Sequence, residues 1–134
     1  MSNITQVLNT DKNFTTLKKA VHASDLDQQL SSTGPFTVFA PSDLAFGKLE
    51  NGAIDHLLKP ENKADLTSML QGHVVEGKID FKDLKDGDSL KTLQGKDLAV
   101  KVQEGKVSVN DAIIQGRDMK TSNGVIHSLD TVLN

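Results

Sequence analysis

The hydrophobic residues change their spacing at Gly72, and that change constrains the fold more than any other feature of the 134-residue chain. Before Gly72 they recur at helical intervals: Phe14, Leu17, Ala20 and Val21, then Ala45, Phe46 and Leu49, then Ile54, Leu57 and Leu58, then Leu66, Met69 and Leu70. After it they alternate. Leu98, Val100 and Val102 interleave with Ala99, Lys101 and Gln103, and Val107 and Val109 interleave with Lys106 and Ser108. Short helices followed by strands predict an α+β fold with a mainly antiparallel sheet system. The exception in the first half is Phe36-Thr37-Val38-Phe39-Ala40, rich in aromatic and β-branched residues and read as a buried strand that Pro41 ends.

The punctuation agrees with this division. Thr10 or Asp11, Ser24-Asp25 and Ser42 stand where helix N-caps belong, with Asp43 in the first turn of the helix that Ser42 opens. Asn51-Gly52 closes that helix, and Gly72 is placed as a C-cap. Leu90–Leu93 and His73–Val75 read as short strands, Asn110-Asp111 as a turn into Ala112-Ile113-Ile114, and Val125–Asp130 as the final strand. Residues 1–134 are expected to form one domain, a usual length for a single core, without repeat or linker. Leu98, Val100, Val102, Val107 and Val109 should be buried together.

Several function classes are excluded. No cysteine is present, so disulfide scaffolds, thiol catalysis and cysteine-ligated zinc are ruled out. The net charge is −3, the one guanidinium belongs to Arg117, and neither Tyr nor Trp occurs, which argues against a nucleic-acid partner. No apolar run exceeds three residues, so the chain is not expected to span a membrane. Met1-Ser2-Asn3-Ile4-Thr5 lacks the basic and apolar regions of a signal peptide. The chain is thus expected to be cytosolic, or the mature or excised part of a longer precursor.

Candidate chemistry is sparse. His22, His56, His73 and His127 form no i,i+4 pair, and no metalloprotease helix motif, phosphate loop or nucleophile elbow occurs. Neither cofactor nor metal is expected. Asp80, Asp83, Asp86 and Asp88 fail the calcium-loop template, because counting back from Gly87 puts Lys82 at its first position. Asn3-Ile4-Thr5 and Asn13-Phe14-Thr15 match the N-glycosylation acceptor. His127 alternates with Val125 and Leu129, so it shares a strand face with core residues and needs buried partners. The capping region near Ser42 and Asp43 offers candidate acceptors.

Three segments, in order, carry a resemblance. Thr33-Gly34-Pro35-Phe36-Thr37-Val38-Phe39-Ala40-Pro41-Ser42-Asp43-Leu44-Ala45-Phe46 closely resembles the first signature of fasciclin-like domains. Asn123-Gly124-Val125-Ile126-His127-Ser128-Leu129-Asp130 resembles the second, and Leu70–Lys78 is similar to the Tyr-His segment between them. The resemblance implies a wedge of two packed β-sheets with several short helices, the two signatures adjacent in the core. It also implies extracellular, periplasmic or cell-surface placement and noncatalytic adhesion or matrix contact with a protein or glycan. The isolated domain is expected to be monomeric.

The chain departs from the family where adhesion is concerned. Gly72 stands where many members carry the tyrosine of the Tyr-His pair, which in animal members is tied to integrin binding, although His73 remains. A second adhesive signature of animal members, centred on Asp-Ile, matches Asp118-Met119 within Gly116-Arg117-Asp118-Met119-Lys120, placed in the approach to a turn. Asp118, Met119 and His73 are therefore the candidate partner-binding residues, with the Asp118-Met119 stretch preferred because Gly72 removes the aromatic anchor. Ser42, Asp43, Asn123, Gly124 and His127 are the candidate structural signature residues. Two rivals are a periplasmic carrier of a lipid or small ligand, which needs a sizeable apolar cavity, and a small hydrolase built from His73, His127 and dispersed carboxylates.

Overall fold

A computed structural model describes residues 2–31, 34–49, 52–110 and 112–133, and within them the side chains of residues 116–118 are not described. The helices come first: α1 (Ile4–Thr10), α2 (Thr15–Ala23), α3 (Leu26–Leu30), α4 (Asp43–Gly47), α5 (Ala53–Leu57) and α6 (Lys63–Gln71). The strands are β1 (Phe36–Pro41), β2 (Val74–Glu76), β3 (Ser89–Lys91), β4 (Asp97–Gln103), β5 (Lys106–Val109), β6 (Ala112–Thr121) and β7 (Gly124–Leu129). Local chemistry sets the helix ends. Asn3 and Gln6 form a reciprocal capping box at the start of α1, Asp11 caps a 3-10 turn over Lys12–Phe14, and Ser42 caps α4.

The strands run in the order β2-β1-β7-β6-β5-β4-β3. Neighbours are antiparallel except β1 and β7, which pair in parallel from Phe36–Gly124 through Pro41–Leu129. The two signature segments are thus adjacent strands, as the resemblance implied. The series bends back on itself, so that its terminal strands meet at an isolated bridge between Val75 and Thr92. A hydrogen bond from Leu93 N–H to Val74 O also spans that seam.

The pleat of β1 and β7 divides the core in two. Phe36, Val38, Ala40 and Ile126 face the helices, where Ile4, Leu8, Leu17, Leu30, Phe46, Leu66 and Leu70 pack over them. Phe39 and Leu129 face the opposite half of the sheet and share a core with Val75, Leu98, Val100, Val107, Val109 and Ile114. This second core lies inside the curl of the sheet, between β1, β2 and β7 on one side and β4 and β5 on the other.

Two expectations need correction. Val102 is half-buried, because it pairs with Val107 next to the β4–β5 hairpin turn, where the sheet runs out into solvent. Met119 and its neighbours lie within β6, in the approach to the turn between Thr121 and Gly124 as expected. The alternation that would have revealed β6 is broken by register shifts between Ile114 and Gly116 and between Gly116 and Met119. Leu90–Leu93 is strand only over Ser89–Lys91 because Thr92 turns back to bond Lys96 O.

Candidate functional site

The second signature begins with a junction built on Asn123. Its Oδ1 accepts from Ile4 N–H at 3.0 Å and from the Thr121 hydroxyl at 3.3 Å, and its Nδ2 donates to Leu30 O at 2.6 Å. Its backbone carbonyl accepts from Phe36 N–H at 2.9 Å. One buried residue thus joins α1, the end of α3, β1 and β7. Gly124 follows because nothing larger fits: a Cβ there would stand 2.0 Å from Phe36 O. Gly34 faces the same junction, with φ +60° and an added Cβ 2.6 Å from Asn123 O.

The first signature continues into α4. Ser42 Oγ accepts from Ala45 N–H at 3.4 Å, and Ser42 N–H donates to Leu129 O at 3.2 Å. Asp43 does not turn to its own helix or toward His127. Its carboxylate accepts from the Thr15 hydroxyl at 2.7 Å and from Thr16 N–H at 2.8 Å, so it caps α2 from a distance. α2 has no side-chain cap of its own from Phe14, which explains the vacancy. Desolvation pulls the Asp43 carboxyl upward, but the hydrogen bonds from Thr16 and Thr15 outweigh it and leave the group below the usual carboxylate range.

Both signature histidines are buried. His127 has no exposed surface; its Nε2–H donates to Ile79 O at 2.8 Å, and its ring stacks on Phe39 with centroids 5.6 Å apart. The acceptor is therefore the chain after β2, not the Ser42–Asp43 region that the sequence offered. His73, 2% exposed, donates from Nδ1 to Met69 O and accepts at Nε2 from Leu133 N–H, both at 2.9 Å. Those two bonds fix its tautomer and bind the end of α6 to the C-terminal segment. Burial holds its pKa down to about 4.

The partner-binding candidates therefore separate. His73 lies inside the protein, whereas Met119 is half-buried in β6 and packs against the helical core. Asp118 belongs to β6, with its side chain outside the described residues. Gly72 has αR geometry, and a Cβ there would come within 2.9 Å of Gln94 Oε1, whose amide donates to Ser68 Oγ. A tyrosine at this position would have to displace Gln94.

Met119 borders a recess of about 290 Å³, together with Phe14, Asn13, Gln115 and Leu44. Leu44 is 78% exposed, the one large hydrophobic side chain so exposed among the described residues. Sequence reasoning passed over it. The sequence carried only part of the signal: Ala45, Phe46 and Leu49 define the apolar face of α4 and Leu44 precedes it, but its exposure follows from tertiary packing. Among the described residues no three His, Asp or Glu side chains gather where they could hold a metal ion. Nor, among them, is any helix long and apolar enough to cross a membrane.

Comparison with known proteins follows the same geometry. The sequence profile of the fasciclin domain matches residues 12–134. The chain belongs to the fasciclin family. Protein sll1483 of Synechocystis sp. is 45% identical over 130 residues, which covers 97% of this chain and 72% of that protein. Transforming growth factor-beta-induced protein ig-h3 of Sus scrofa is 34% identical over 134 residues, covering 98% of this chain but 19% of the longer protein. Among solved structures, the fasciclin domain pair of the insect cell adhesion molecule Fasciclin I matches with a TM-score of 0.89 at 23% identity. That match covers 99% of this chain and 51% of the pair, and it shows that the fasciclin fold is shared.

Proposed function

We propose that residues 1–134 act as one noncatalytic interaction module of adhesion type, working outside the cytoplasm or at the cell surface and binding a protein or glycan through the Asp118-Met119 stretch of β6. The observation that carries this reading is the contrast between the buried histidines and the strand. His73 and His127, the side chains best suited to acid–base work, are enclosed and bonded to backbone groups. β6 instead carries a register irregularity beside Met119, and bulges re-aim side chains next to functional surfaces. Methionine adapts to irregular partners. The carrier alternative finds less support: a recess of about 580 Å³ beside β2 and β3 mixes Val75, Ile79, Leu90 and Leu93 with Glu76 and Lys91, and one of about 550 Å³ on β4–β6 is lined by Lys101, Gln103, Glu104, Lys106, Ser108 and Ile113, so both are mixed surfaces rather than apolar cavities.

The test compares Asp118→Ala and Met119→Ala with the parent chain in cell- and matrix-adhesion assays, after thermal melts confirm that each variant folds. Loss of adhesion in both variants is expected. Full adhesion by both would remove this stretch from the function.

A further inference from the structure

Leu44 lies where the fold has no use for it. The polar residues before it face inward, Ser42 to cap α4 and Asp43 to cap α2, and the residues after it, Ala45 and Phe46, are buried. A single exposed leucine is ordinary on a protein surface; what distinguishes this one is the apolar company of Phe14 and Met119 around one recess. It borders the same recess as Met119, floored by the buried Phe14. The recess joins an α4 residue to a β6 residue, so the apolar contact crosses between two elements. Its charged lining groups, Asp11 and Asp43, are both carboxylates. Asp43 is held there by Thr15 and Thr16, and Asp11 by Asn13 N–H at 2.8 Å, so both negative charges are fixed in place.

We propose that this recess is a docking site for a protein segment presenting an aliphatic side chain next to a lysine or arginine. The aliphatic group would cover Leu44 and Met119, and the cation would lie against Asp11 and Asp43. This extends the interaction-module reading of β6 and rests on it. The chemistry selects the occupant: two fixed carboxylates repel acidic segments, and the absence of Tyr and Trp from the chain removes the usual platform for a sugar ring.

The probe is a random seven-residue peptide display library, selected on the parent chain and counter-selected on Leu44→Asp. Enrichment of sequences with an aliphatic residue within two positions of Lys or Arg is expected. A synthetic peptide of that consensus should shift amide resonances in segments 11–15, 42–46 and 113–120. Its affinity should fall at least tenfold with Leu44→Asp, with Leu44→Ser, or when its cation is replaced by glutamate. Both protein variants should melt with the parent; if Leu44→Asp does not fold, Leu44→Ser takes its place. Enrichment of acidic peptides, no enrichment over the starting library, or binding indifferent to Leu44 would overturn the proposal. Adhesion that is lost in Asp118→Ala and Met119→Ala but intact in Leu44→Asp would overturn this docking site alone.

Discussion

Lowering the pH from 7 to 5 should destabilise this domain through one side chain, His73. Protonating its Nε2 would turn the acceptor of Leu133 N–H into a second donor and place a charge in a site with almost no solvent contact. Its pKa is about 4 in the folded protein, against 6.5 for the free side chain. The folded value is the lower one, so between these limits the unfolded chain binds the extra proton and stability rises with pH. The contribution is complete above about pH 6.5 and is lost as pH falls toward about 4. The full gap corresponds to about 3 kcal/mol, of which about 2 kcal/mol disappears between pH 7 and pH 5. That is a large share of the total for a domain of this size. Urea denaturation at half-unit pH intervals measures the slope. His73→Gln keeps an acceptor for Leu133 but does not titrate, so its curve should start lower at pH 7 and flatten by about 2 kcal/mol over the same range. Parallel curves for the two proteins, or an NMR titration placing His73 near 6.5, would refute the argument.

Three further outcomes concern the signature residues. Gly124→Ala should prevent formation of the β1–β7 pair, because its methyl carbon would overlap Phe36 O; no cooperative unfolding transition is expected by circular dichroism. Asn123→Leu should cost about 3 kcal/mol in denaturant titrations, since it strands Ile4 N–H and Leu30 O in the core, and a change below about 1 kcal/mol would contradict the junction described above. His127→Ala removes the bond to Ile79 O and the stack on Phe39, for about 3 kcal/mol and a lower melting temperature, while the surviving folded fraction should bind a partner unchanged.

The legible part of this fold is the part written in local periodicity. Leu98 and Val100 alternate because one face of β4 is buried, and Leu17, Ala20 and Val21 recur because one face of α2 is. The parallel neighbours Phe36–Pro41 and Gly124–Leu129 were legible only through their likeness to a known pair of signatures, since nothing local to either strand names its partner. Asp43 shows the limit most clearly. It was rightly placed in the first turn of α4, yet its partners Thr15 and Thr16 belong to another helix and follow from tertiary packing alone. β6 escaped because two register shifts erase the period on which a strand is recognised. Leu44 was in plain view, but an exposed leucine becomes informative only once its neighbours are known to be buried.

The Asn123 junction also dictates an order of events during synthesis. Ile4 and Asn123 are 119 residues apart in the chain, and β1 lacks its parallel partner until β7 has been made. At ~5–20 residues per second a ribosome needs on the order of ten seconds to cover that distance. Throughout that interval the helices have no finished sheet to lie on, and β1, buried along its whole length in the final protein, offers an open edge. A nascent chain stalled before residue 123 would therefore be a client for chaperones and proteases, because closure of this domain waits for its last strand.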